Sequence, residues 1–281
     1  PGHGLSAGAA RHGHARTHSP HDAANGKDED SVNLDTRRHT ALVTGGMGGL
    51  GEATARALHD AGHAVLVAYS RNDEAATAWL AREAAAGYDF ASYAVDVADF
   101  ASCERMAQRI AADGHHVDIL VNNAGITRDA TFRKLTKDNW DAVLRVNLDS
   151  MFNVTRPFID GMLERGWGRI VNISSINGSK GQFGQTNYAA AKAGIHGFTK
   201  ALAQEVARKG VTVNTVSPGY LDTAMVSAMP ADALARVTAG IPVGRLGKPE
   251  EIAALIRFIA SDAAAFMTGS NVAMNGGQHM Y

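Results

Sequence analysis

Thr40-Ala41-Leu42-Val43-Thr44-Gly45-Gly46-Met47-Gly48-Gly49-Leu50-Gly51 decides how the rest of this chain is read. Ala41–Val43 is a short apolar run of the kind that fills a buried strand, and the glycines after it lead directly into a helical pattern over Glu52–Asp60. Glycine lets a backbone turn tightly and come close to a ligand, while a helix N-terminus offers free N–H groups and a partial positive charge. Strand, glycine turn and helix in that order make a cradle for a dinucleotide pyrophosphate, formed by Gly45, Met47, Gly49, Leu50 and Gly51. A glycine-rich turn alone carries little weight, because any tight strand-to-helix connection favours glycine. Its placement carries the reading.

Outward from that turn the alternation continues. Apolar runs at Ala64–Ala68, Ile119–Val121, Ile170–Ile173 and Val211–Val216 alternate with helical stretches. This pattern predicts an α/β fold with a parallel sheet, helices on both faces and right-handed connections. No linker, composition break or repeat interrupts the chain after residue 40, so residues 39–281 are expected to be one dinucleotide-binding domain. Residues 1–38 are rich in His, Gly, Ala and Ser, carry the run Lys27-Asp28-Glu29-Asp30 and show no periodicity. Such a segment cannot bury enough apolar surface to offset its ordering entropy and is expected to be disordered. His3, His12, His14, His18, His21 and His39 show no regular i, i+4 pairing that would fix them on one face as a metal site, and early Pro and Gly spoil the amphipathic helix of a targeting peptide.

Composition narrows the partner. Hydrophobic residues make up 45% of 281, enough for a sizeable core, and no run of about 18 apolar residues marks a membrane span. A formal net charge of -1 gives no electrostatic reason to expect nucleic acid or an anionic membrane, so a small-molecule partner is expected. Cys103 is the one cysteine, which excludes an intrachain disulfide and a Cys-based zinc site; no metal site is expected, and a reducing, cytoplasmic setting fits. Cys103 lies in a polar helical segment with no base spaced to activate it and reads as packing.

The second apolar run ends at Ala68-Tyr69-Ser70-Arg71, where NAD-binding sheets of this kind place an acid on the ribose 2′-hydroxyl. None stands there. Ser70 can donate to a 2′-phosphate and Arg71 can add charge-assisted hydrogen bonds, so NADPH is expected over NADH, with Asp73 and Glu74 opposing it close by. Asp96-Val97 and Asn123-Ala124-Gly125 follow the third and fourth strands, where the adenosine half should rest.

Ile173-Ser174-Ser175 ends another strand, and thirteen residues beyond Ser175 comes Tyr188-Ala-Ala-Ala-Lys192 at the start of a helix. Positions i and i+4 share a helix face. A unit charge about 4 Å away at an effective dielectric of 20 is worth roughly 4 kcal/mol, enough to bring a tyrosine from about 10 towards neutrality. A carbonyl that accepts hydride needs a donor to polarise it and an acid to protonate the alkoxide, roles open to Ser175 and Tyr188. Lys192 can lower the tyrosine and hold the nicotinamide ribose, and Asn147 can hold a water that passes protons to Lys192. A Tyr-x-x-x-Lys pair alone is common in exposed helices; its conjunction with the glycine loop, Asn123-Ala124-Gly125, Asn147 and Ser175 is specific.

Together Thr44-Gly45-x-x-x-Gly49-x-Gly51, Asn122-Asn123-Ala124-Gly125, Asn147, Ser175, Tyr188-x-x-x-Lys192 and Pro218-Gly219 resemble the short-chain dehydrogenase/reductase family over residues 40–281. The resemblance implies a Rossmann-type, doubly wound, parallel seven-stranded sheet of order 3-2-1-4-5-6-7, hydride transfer from NADPH, Pro218, Gly219 and Thr223 near the cofactor, and commonly a homotetramer. The longer stretches 123–129, 166–175, 181–188 and 275–280 are similar to members that reduce short 3-oxoacyl thioesters. They imply conversion of acetoacetyl-CoA to (R)-3-hydroxybutyryl-CoA, a step of polyhydroxybutyrate synthesis. Tyr69-Ser70-Arg71 and the His-rich leader depart from the pattern.

Gln182, Phe183 and Gln185 fall between the serine and the tyrosine, and Tyr220 follows Pro218-Gly219, so these four are expected to line the substrate mouth, with residues from Leu221 to about Val243 as a lid. Two rival functions stand beside the CoA reading. A carrier-protein-bound 3-oxoacyl substrate would suit a basic rim of Arg165, Arg169, Arg208 and Lys209. A catalytically idle NADPH sensor would be expected to have lost Asn147, Ser175, Tyr188 or Lys192, and none is lost. The terminal run Asn271–Tyr281 suits either an interface strand or a cover for its own sheet.

Overall fold

Leu42 pairs in register with Leu66 on one side and Leu120 on the other, and the row continues through Ile170 to Val213. All five side chains are buried on the same face of one sheet, and Val43, Val67, Val121 and Val171, each next along its strand, are buried on the other, as is Val216 further along the fifth. Side chains alternate across a strand, so a strand apolar at every position must be covered twice. That requirement sets the architecture. The computed structural model describes residues 1–2, 38–70 and 73–280. Residues 3–37 of the leader expected to be disordered, Arg71, Asn72 and Tyr281 fall outside them.

In chain order the elements are β1 (Thr40–Thr44), α1 (Gly49–Asp60), β2 (Ala64–Tyr69), α2 (Asp73–Ala85), β3 (Phe90–Ala94), α3 (Phe100–Ala112), β4 (Ile119–Asn122), α4 (Lys137–Leu144), α5 (Ser150–Arg165), β5 (Gly168–Ile173), α6 (Ile176–Lys180), α7 (Thr186–Val206), β6 (Val211–Pro218), α8 (Ala224–Ser227), α9 (Ala231–Ala239), α10 (Pro249–Ile259) and β7 (Asn271–Met274). Every strand pair is parallel, and the order is β3-β2-β1-β4-β5-β6-β7, as the resemblance implies. Cys103, Met106 and Ile110 of α3, Val154, Phe158 and Met162 of α5 and Ala203 of α7 cover one face. Ala55 and Leu58 of α1, Trp79 of α2 and Ile252, Ile256 and Ile259 of α10 cover the other. Residues Leu34–Tyr281 make one compact unit.

The order of strands reverses direction between β1 and β4, so the loops leaving those two strands diverge and open a crevice at their carboxyl ends. Thr44 ties the crevice together: its hydroxyl accepts from the Asn123 and Ala124 amides at 2.9 and 3.1 Å. The side-chain amide of Asn123 in turn donates to the Thr44 and Gly45 carbonyls at 3.0 and 3.2 Å. At the opposite end of the sheet His39 stacks on Trp167 with ring centres 3.6 Å apart. Within the terminal run, Asn271–Met274 forms β7, the outer strand of the sheet, paired to β6 through Val216 and Val272.

Candidate active site

Gly45 and Gly49 adopt positive φ angles of 62° and 39°, which turn the chain out of β1 and straight into α1. At Gly51 the constraint is space: a Cβ there would lie 2.1 Å from the Gly45 carbonyl oxygen. No side chain caps α1 at Gly48, so the first amides of the helix are left to a ligand or solvent. The loop is therefore shaped for an anion brought against backbone, which fits the pyrophosphate of a dinucleotide.

Two cavities open on either side of this loop. The first, of about 770 Å³, is lined by Gly45, Met47, Tyr69, Ser70, Trp79 and Arg82. The second, of about 480 Å³, lies at the carboxyl ends of β4, β5 and β6 and takes in Leu50, Asn123, Gly125, Ser175, Gln185, Tyr188, Lys192, Pro218, Gly219, Tyr220 and Thr223. Val226 and Met229 from the expected lid complete its wall. Asp96 is exposed and Val97 buried, and neither lines these two cavities. Gln182 and Phe183 also stay off the wall. Gln182 accepts from Lys180 at 2.9 Å, and Phe183 projects outward, 86% exposed.

Local structure presents each reacting group. Ser175 is the N-cap of α6, its hydroxyl accepting from the Asn177 amide at 3.1 Å. Tyr188 stands in the first turn of α7, anchored through the buried Asn187, whose side chain accepts from the Tyr188 amide at 2.8 Å. Lys192, one turn on, is only 3% exposed; its Nζ donates to the Ile173 carbonyl at 2.8 Å and lies 5.6 Å from the centre of the Tyr188 ring. A π-helical turn over Arg145–Asp149 swings Asn147 inward, where its amide donates to the Ile126 and Val143 carbonyls at 2.9 Å each. Its Oδ1 is buried with no hydrogen-bond partner and lies against Gly125, as does the Lys192 ammonium. A buried acceptor left open beside a buried ammonium is a built position for a bridging hydroxyl or water.

The electrostatics correct one sequence expectation. Burial pushes the Tyr188 phenol above its ordinary value, Asp129 and Tyr220 add to the rise, and a hydrogen bond with Ser175 pulls the other way. The expected fall towards neutrality is absent, because Lys192 directs its ammonium at the Ile173 carbonyl rather than at the phenol oxygen. Burial lowers Lys192 itself to about 8. In this state the tyrosine keeps its proton across the neutral range.

The expected basic rim is also corrected. Arg165, Arg169, Arg208 and Lys209 sit at or before the amino ends of β5 and β6, whereas the cavity is at their carboxyl ends. The six residue steps from Arg169 to Ser175 span about 20 Å of extended chain. Arg169 is moreover buried, paired with Asp262 at 3.1 Å and set 4.4 Å over the Trp167 ring. Sequence reading missed the pair that orients Gln185: its side chain accepts from Asn177 at 2.9 Å and donates to Asp129 at 2.7 Å. Asn177 was findable as the second residue after the strand-ending serine, but Asp129 lies 56 positions away in sequence and gave no local sign. Cys103 packs as expected, buried under α3 with its thiol pushed up to about 12 by burial.

A parallel sheet, a glycine loop at its switch point and a Ser-Tyr-Lys cluster in the adjoining cavity define a dinucleotide-dependent oxidoreductase. The family pattern described as short chain dehydrogenase matches residues 39–233, and the chain belongs to that family, which makes its cofactor a nicotinamide one. It is 54% identical over 240 residues to the acetoacetyl-CoA reductase of Cupriavidus necator, covering 85% of this chain and 98% of that protein. It is likewise 54% identical to nodulation protein G of Azospirillum brasilense, over 84% of this chain and 96% of that one. The 3-oxoacyl-(acyl-carrier-protein) reductase of Vibrio harveyi is more distant at 42%, over 85% and 97%. Among the described residues no helix is long and apolar enough to cross a membrane.

Proposed function

We propose that this protein uses NADPH to reduce acetoacetyl-CoA to (R)-3-hydroxybutyryl-CoA, the step that supplies polyhydroxybutyrate synthesis, and that it works in the cytoplasm as a homotetramer. The observation that carries the chemistry is the convergence of Ser175, Tyr188 and Lys192 on one cavity beside the glycine loop. The choice of a CoA ester over a carrier-protein ester is supported by the higher identity to acetoacetyl-CoA reductases and by the position of Arg165, Arg169, Arg208 and Lys209 at the end of the sheet away from the cavity. The exposed Phe266 and the apolar β7 edge at Met274 suit subunit contact.

NADPH supplies the hydride when bound. Met47, Gly49 and Leu50 would hold its pyrophosphate through backbone amides at the head of α1, with Ser70 toward the adenosine ribose and the Asp96-Val97 turn toward the adenine, and the charge of Arg71 would favour a phosphorylated ribose. Asn123, Ala124 and Gly125 would form the floor, with Pro218, Gly219 and Thr223 toward the nicotinamide end. Ser175 donates a hydrogen bond to the substrate carbonyl oxygen, and Tyr188 gives that oxygen its proton as negative charge develops. A phenol held protonated by burial is in the form this reduction requires. Lys192 would bind the nicotinamide ribose and, with the open acceptor of Asn147, stands on the route by which Tyr188 would be reprotonated. Tyr220 offers an apolar wall to a short acyl chain, with Gln185 at its polar end.

Tyr188→Phe tests this assignment. Turnover should fall by roughly two to four orders of magnitude while NADPH binding stays within about twofold, since only the acid is removed. Turnover retained in that variant removes Tyr188 from the proposed role.

A further inference from the structure

The cavity beside the end of β2 holds a feature that the motifs do not account for. Among the described residues on its wall, Arg82 of α2 is the one cationic side chain. Its guanidinium rests on two carboxylates: it pairs with Glu52 of α1, and its Nε and a terminal nitrogen lie 3.0 and 2.9 Å from Glu83. Glu83 is fully buried and already takes a two-pronged pair from Arg56, at 2.7 and 2.8 Å. Glu52 also pairs with Arg56 at 3.0 Å and accepts from the Trp79 indole at 2.8 Å. Two arginines and two glutamates thus balance, and Arg82 is the member most open to solvent, with 57% of its side chain exposed. Asp73, the acid nearest the end of β2, is engaged by the Tyr69 hydroxyl at 3.0 Å.

Building on the NADPH reading above, the geometry points to Arg82 as the group that selects the cofactor's 2′-phosphate, with Glu52 setting how freely its guanidinium is offered. A guanidinium is a planar fork with several donors, so Arg82 can keep Glu83 on one side and exchange Glu52 for a phosphate on the other. A ribose 2′-hydroxyl carries no charge and cannot compete with a carboxylate for that edge, so NADH leaves the network as it stands. The network therefore contains both the selecting cation and a brake on it. A purely structural role for Arg82, bracing α2 against α1, would weaken both cofactors alike.

The test is direct titration of NADPH and NADH, followed by nicotinamide fluorescence, on the full chain and on Arg82→Gln, Arg82→Lys and Glu52→Gln. Arg82→Gln should lose about tenfold or more in NADPH affinity with NADH held within about twofold, the retained NADH binding showing that the variant is folded. Arg82→Lys should fall between. Glu52→Gln should act in the opposite direction, tightening NADPH by roughly threefold with NADH unchanged, because one counter-charge is gone. The preference for NADPH should shrink with added salt in the parent protein and be salt-insensitive in Arg82→Gln. A parent protein without preference overturns the NADPH reading and this assignment together. A preference that survives Arg82→Gln, a parallel loss of both cofactors, or a loosening of NADPH in Glu52→Gln overturns the Arg82 assignment alone.

Discussion

Replacing Lys192 by methionine should stabilise the folded protein at neutral pH while destroying its activity. The ammonium is 3% exposed and burial depresses it from 10.5 to about 8. At 1.36 kcal/mol per pKa unit, that depression is a cost to the fold of about 3 kcal/mol. The sign follows from proton counting. Between about pH 8 and 10.5 the unfolded chain binds a proton at this residue that the folded chain does not, so stability rises with pH through that window. Below pH 8 both states are charged and the full cost applies; above 10.5 both are neutral and it is gone. Methionine has nearly the same length and no charge, but it gives up the hydrogen bond to the Ile173 carbonyl, worth about 1 kcal/mol. The variant should thus gain about 2 kcal/mol at pH 7, or roughly 4–8 °C in Tm for a domain of this size, and lose about 1 kcal/mol at pH 10.5. Denaturation of ligand-free parent and variant at matched protein concentration, at both pH values, measures the difference; effects of other titrating groups cancel in it. A variant less stable at pH 7, or a difference that does not change sign with pH, would refute the burial argument.

Other expectations follow from single contacts. Gly51→Ala sets a methyl group 2.1 Å from the Gly45 carbonyl, so the loop must move; dinucleotide binding should be lost in a titration, with about 2 kcal/mol of stability. Leu42→Ala, between Leu66 and Leu120 in the five-strand row, should cost about 2–5 kcal/mol in denaturant unfolding with the Michaelis constant for cofactor unchanged. Cys103 is buried and its thiol lies at about 12, so iodoacetamide at mildly alkaline pH should leave the native chain unlabelled by mass spectrometry and fully active.

Most of the scaffold was legible because its strands are covered on both faces and so appear as uninterrupted apolar runs: Ala41–Val43, Ala64–Ala68 and Ile119–Val121 could be placed from residue type alone. The glycine loop was legible for a related reason, since Gly51 meets backbone and tolerates no Cβ. What failed depended on distance or direction in space. The basic rim failed because a residue six places before Ser175 on a strand is at the far end of the sheet. The tyrosine failed because spacing on a helix brings Lys192 near the ring but says nothing of the carbonyl that claims its ammonium. The π turn that brings Asn147 inward, and the pairing of Arg82 with Glu52 across 30 residues, have no periodic trace in the sequence.

The central claim is tested most directly by following NADPH absorbance with acetoacetyl-CoA as substrate, beside parallel reactions with NADH and with an acetoacetyl carrier protein. Rapid oxidation of NADPH with the CoA ester, and slow oxidation in the other two arms, is the expected result. A faster reaction with the carrier protein would keep the fold and the Ser175-Tyr188-Lys192 chemistry but contradict the substrate, and silence with both thioesters would contradict the proposed function itself.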